Sequence, residues 1–102
     1  MVLKRLSAVQ ELCLQQQAEK GYAYLCFCVG RELSPKEKQD FWAIANNAAL
    51  VSLSASENGK NCFSSVVDVL KRCSLEEIAS RAMEYEQENM TRNLREETGE
   101  SN

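Results

Sequence analysis

The stretch Tyr22-Ala-Tyr-Leu-Cys-Phe-Cys-Val29 decides between two fold classes. Its composition suits a strand, because Tyr, Phe and Val fit a pleated surface. Its spacing suits a helix: Tyr22, Leu25, Cys26, Val29 and Leu33 fall at i, i+3, i+4, i+7 and i+11. A strand here would need a partner, and the best candidate is the alternating run Val51-Ser-Leu-Ser-Ala55. The helical reading is preferred and predicts an all-α protein, a compact bundle of four or five helices. The strand reading is the alternative and predicts an α+β fold with short strands near 22–29 and 50–55.

On the N-terminal side, Val2, Leu6, Val9 and Cys13 recur at helical spacing, and Gln16 ends that face. They predict a first helix from about Val2 to Lys20. At about 100° per residue, this stripe and the Tyr22 stripe point in nearly opposite directions. One straight helix cannot bury both against one core, so a break near Gly21 is expected.

On the C-terminal side, Ser34-Pro35-Lys36-Glu37 is the sharpest local signal. Ser34 can cap a helix, Pro35 suits its first position and Glu37 can complete a capping box. Phe41, Trp42, Ile44, Ala45, Ala48, Ala49 and Val51 then cover most of the helix circumference, which predicts a central helix with Trp42 as a core anchor. Asn46 and Asn47 interrupt it, and either one needs a hydrogen-bond partner if buried. The helix should stop before the turn signal Glu57-Asn58-Gly59.

Phe63, Val66, Val67 and Leu70 make the stripe of a further helix. Ser74-Leu-Glu-Glu77 is a second capping box, with Cys73 and Ile78 placed as a hydrophobic staple. The last helix should run from Leu75 to about Leu94. Residues 1–95 therefore read as one helical domain and 96–102 as a polar, disordered tail. The single Pro and four widely spaced Gly residues agree with long helices.

Composition narrows the chemistry. The 102 residues are 44% hydrophobic and 26% charged, as in an ordinary globular chain. A net charge of −3 disfavours a protein built to grip phosphate backbones. There is no histidine, hence no ready base near neutral pH and no imidazole ligand. No glycine-rich phosphate loop is present. The basic start Met1–Leu6 leads into Glu11 and Gln15-Gln16-Gln17, not into a signal-peptide core. The longest apolar run, Tyr22–Val29, is too short to span a bilayer as a helix. These features predict a cytoplasmic protein that does not engage membranes.

Cys13, Cys26, Cys28, Cys62 and Cys73 are odd in number and irregularly spaced. They read as reduced, packed residues and not as a disulfide framework or a zinc site built on paired knuckles. No catalytic residue, metal ligand or cofactor is expected.

On the last helix Glu77, Arg81, Glu84, Glu88, Arg92 and Arg95 share about 80° of arc. Carboxylate clusters of this kind hold Mg²⁺ in some all-α enzymes. Opposite charges alternate here, however, which describes a solvated face better. Ser74-Leu-Glu-Glu-Ile-Ala-Ser-Arg-Ala82 resembles the first helix of many helix-turn-helix DNA readers, over nine residues only. That resemblance implies a tight turn and a recognition helix next. Met83-Glu-Tyr-Glu-Gln-Glu88 instead continues without a breaker and is acidic.

Glu86 is placed by spacing on the face of Leu75, Ala79 and Ala82, where a core residue is expected. That face therefore either projects into water or meets a partner. Met83, Tyr85, Glu86, Met90 and Leu94 form the expected partner-binding residues, with Tyr22–Val29 as a second candidate surface. The sequence thus predicts a small non-enzymatic protein–protein interaction module (adaptor, regulator or assembly subunit) that binds a protein partner or itself as a homodimer. A helix-turn-helix regulator and an acidic-helix metal-dependent hydrolase are the alternatives.

Overall fold

Ser7, and not Val2, opens the first helix. Its hydroxyl accepts the Gln10 N–H at 3.2 Å, and the Gln10 side chain accepts the Ser7 N–H at 2.9 Å. This capping box starts α1, Ala8–Val29. The structure is a computed structural model that describes the backbone of residues 1–98 and the side chains of residues 1–89. The segment ahead of the cap is extended: β1, Val2–Leu3, pairs antiparallel with β2, Ala55–Glu57, setting Val2 opposite Ser56 and Leu3 opposite Ala55.

The expected break at Gly21 is absent, and α1 continues through it to Gly30. Gly30 ends the helix in the left-handed region at φ 67°, where a side chain would be strained. The segment 22–29 is thus helical, and the strand alternative is corrected there. The two-stripe conflict disappears because Val2 and Leu6 lie ahead of the helix and Val9 faces solvent. Leu14, Ala18, Gly21 and Leu25 line the inward face, at i, i+4, i+7 and i+11, while Val9 stays exposed. The inward face carries small residues because the neighbours come close. A Cβ on Gly21 would lie 3.0 Å from Val66 Cγ2 and 3.5 Å from Ala45 Cβ.

Ser34 caps α2, Pro35–Ser54, with the expected box: Ser34 Oγ accepts from Glu37 N–H at 3.2 Å, and Glu37 Oε1 accepts from Ser34 N–H at 3.0 Å. Arg31 adds a two-pronged ion pair to the same carboxylate, at 3.1 and 2.6 Å. Arg31 and the Ser34 N–H hold the Glu37 carboxyl down to about 2. A carboxylate depressed on folding stabilises above its unfolded value of about 4.3, and this is lost as pH falls toward 2. Glu37→Gln should therefore be less stable than the parent at neutral pH, and the gap should close between about pH 4.5 and 2. Urea titrations across that range test it, and a gap independent of pH would refute the assignment.

Helix α2 is central, packing on α1, on α3 and on α4. Its buried face is built from Ala45, Ala48, Ala49, Val51, Ser52 and Ser54. The two buried hydroxyls return to their own helix, Ser52 to the Ala49 carbonyl and Ser54 to that of Leu50. Trp42 is not the core anchor expected. It lies at the surface, its ring stacked on Tyr22 with centroids 4.4 Å apart. Asn46 is exposed.

After β2, Asn58 and Gly59 turn with φ of 53° and 79° into β3, Lys60–Asn61. Two consecutive positive φ values on Asn-Gly are the signature of a tight hairpin. The sheet order is β1-β2-β3, all antiparallel. The strands therefore lie at 2–3, 55–57 and 60–61; of the 22–29 and 50–55 of the α+β alternative, only Ala55 is in a strand.

Ser65 caps the short α3, Val66–Arg72, and Ser74 with Glu77 forms the expected capping box of α4, Leu75–Thr98. Helix α4 continues past Leu94, and residues 99–102 of the expected tail lie outside those described. Four helices and one small sheet, among the described residues, surround a single cluster that joins Leu3, Leu6, Ala18, Val51, Phe63, Val66, Val69, Ile78 and Tyr85. The chain is a compact, mostly helical bundle with short strands.

Candidate interaction surface

Helix α4 turns Ile78, Ala82 and Tyr85 inward, a line rotated from the one spacing alone suggested. Leu75 and Ala79 lie outside it, and so does Glu86, which is exposed and needs no buried partner. The expected partner-binding residues therefore separate. Met83 is 59% exposed and available. Tyr85 is corrected from a surface edge to the core: it is 8% exposed, and its hydroxyl accepts the Leu6 N–H at 3.1 Å. The side chains of Met90 and Leu94 lie outside the described residues.

The charged stripe of α4 also has local explanations. Glu77 is committed to the Ser74 cap, and Arg81 pairs with Glu84 at 3.1 Å. No group of three or more His, Cys, Asp or Glu side chains gathers as a metal site among the described residues. The segment resembling a helix-turn-helix opening runs straight on through Met83. All five cysteines are free, and Cys28 is exposed. Burial pushes the Cys73 thiol upward, away from the reactive thiolate form. No described helix is long and apolar enough to cross a membrane.

An open cleft of about 520 Å³ lies beside the hairpin, lined by Met1, Glu57, Lys60, Phe63 and Arg72 among others. Its charges are largely paired. The Met1 ammonium is 4.0 Å from Glu57, and Arg72 binds Asp68 and the Cys62 carbonyl while lying over the Phe63 ring. The half-buried thiol of Cys62 also lines it.

The outer face of α1 is different. Leu12 is 82% exposed, Phe27 is 83% exposed and Val9 is 70% exposed. Ala23 lies on the same face with Gln16, Glu19 and Lys20, all exposed. At about 100° per residue these seven fall within about 100° of arc. Contacts on its other sides hold the helix in this orientation. Tyr22 stacks on Trp42 from α2, and Tyr24 carries the Lys71 ammonium of α3 at 5.8 Å from its ring centre. The two aromatic contacts clamp α1 by its other sides, and Gly21 sits hard against Val66.

Sequence reading placed Val9 in the core and left Leu12 unassigned. The available signal was the run Leu14, Ala18, Gly21, Leu25, which marks the inward face and leaves Leu12 and Phe27 facing solvent. No family model, no curated protein and no solved structure matches the chain.

Proposed function

We propose that this chain is a non-enzymatic protein–protein interaction module, and that the outer face of α1 is its principal docking surface. The observation that carries this reading is the near-complete exposure of Leu12 and Phe27 on a helix clamped against rotation. Single exposed apolar residues are common on protein surfaces. Several large ones on one rigid face describe a surface suited to cover by another protein. Leu75 and Met83 on α4 form a second, smaller apolar strip consistent with the same role.

The test is affinity capture with the intact chain, against an extract of its native cells and against a differently tagged second copy. The Leu12→Glu/Phe27→Glu variant serves as the control, after circular dichroism has shown that it remains folded. The wild type should retain a partner that the variant loses. Equal retention by both, or retention by neither, would overturn the proposal.

A further inference from the structure

The outer face of α1 has its apolar residues at both ends and polar residues between them. Large apolar residues lie at its N-terminal end, Val9 and Leu12. Polar residues occupy the middle, Gln16, Glu19 and Lys20, and apolar ones return at the end, Ala23 and Phe27. The pairs Val9 with Phe27, Leu12 with Ala23, and Gln16 with Lys20 are all centred on one point, within half a residue of position 18. An isologous interface demands this property: if residue i meets j, then j meets i.

We infer that the occupant of this face is a second copy of the chain, with the two α1 helices packed antiparallel about a two-fold axis near residue 18. The inference rests on the interaction-module reading and specifies its partner.

Size and charge both select this pairing. Antiparallel packing sets the large Phe27 against Val9 and the large Leu12 against the small Ala23, so bulk alternates with space along the seam. It sets Lys20 opposite Gln16 and brings it within about one helical turn, 5.4 Å, of the opposing Glu19. Parallel packing would set Glu19 against Glu19 and Lys20 against Lys20, which costs stability on both counts. The seam from residue 9 to residue 27 is about 27 Å long at 1.5 Å per residue. The apolar side chains of both copies, with the stems of Lys20 and Gln16 laid along them, bury on the order of 1,000 Å², the threshold for a specific interface.

Sedimentation equilibrium of the full chain, with reductant present so that Cys28 cannot link copies, should give twice the 11.5 kDa mass of one chain at micromolar concentration. Leu12→Lys and Ala23→Glu should each weaken the dimer by about 100-fold or more, because a two-fold seam contains each substitution twice. Mixing the two variants supplies the readout that depends on orientation. Antiparallel packing brings the introduced lysine of one copy to the introduced glutamate of the other. It leaves the second Leu12–Ala23 pair intact, so the mixture should recover a heterodimer.

Recovery supports the antiparallel seam. Two folded variants that stay monomeric when mixed would overturn it, as would a wild type that is monomeric at hundreds of micromolar. A monomer that still captures a different protein through Leu12 and Phe27 would sink this inference and leave the interaction reading standing. A monomer that captures nothing sinks both.

Discussion

Replacing Tyr85 with Ala should cost about 3–5 kcal/mol of folding stability, the range for removing a large buried aromatic side chain. A domain of this size has about 5–15 kcal/mol in total, so the variant should lie near the edge of folding at room temperature. Two losses combine. The ring leaves the core cluster it shares with Leu6 and Ile78. The hydroxyl also leaves the Leu6 N–H, a donor 79 positions away in sequence, without its acceptor.

Tyr85→Phe separates these terms. The ring stays and only the buried amide is orphaned, which costs about 1–3 kcal/mol. Hydrogen exchange at Leu6 should accelerate in that variant more than at Val69, because the Leu6 amide alone has lost its acceptor. Urea unfolding checks both magnitudes. A Tyr85→Phe variant with parental stability and unchanged Leu6 exchange would show that the hydroxyl does not hold the N-terminal segment to α4.

This contact also explains which parts of the fold were legible in the string. Signals contained within four residues were readable: Ser34 with Glu37, and Ser74 with Glu77, each open a helix where expected. Ser7 with Gln10 is the same motif with Gln in place of Glu, and it was obscured by the apparent stripe that began at Val2. The turn at Asn58-Gly59 was readable, whereas the hairpin around it was not. Strands of two or three residues owe their existence to their partners, and Leu3 finds Ala55 across the whole of α1 and α2.

The candidate surface was hidden for a related reason. Hydrophobic spacing shows which residues would favour burial, and α1 offers two such stripes. Which face is covered depends on the fit of α2 and α3, and the face of Ala18 and Gly21, which neither stripe was centred on, fits more closely than that of Val9 and Leu12. Close approach of small residues maximises packing between backbones, yet it leaves little trace on a hydropathy plot. Tyr85 illustrates the converse. Its phenol looked suited to a wet edge, but a buried hydroxyl is equally stable when a backbone donor is aimed at it.

Gly21 gives the second large effect, and it separates two accounts of a glycine inside a helix. If Gly21 served as a hinge, Ala would stiffen α1 and raise stability by about 1 kcal/mol through helix propensity, and a longer side chain would be tolerated. The structure instead makes it a contact residue. The absent Cβ is the space into which Val66 Cγ2 fits, with Leu70 Cδ1 only 3.6 Å from the same point. Gly21→Ala should then be close to neutral, its propensity gain offset by displacing Val66, which is nearly fully buried. Gly21→Leu should cost about 3 kcal/mol, because four added carbons have no space between α1 and α3 and the core transmits the strain. Pairing Gly21→Leu with Val66→Ala should recover part of that loss, since the two residues compete for one volume. Urea denaturation of the three variants decides the matter. If Gly21→Leu is as stable as the parent, α1 does not lie as close to α3 as the structure places it, and the clamp that holds Leu12 and Phe27 outward is weaker than their exposure implies.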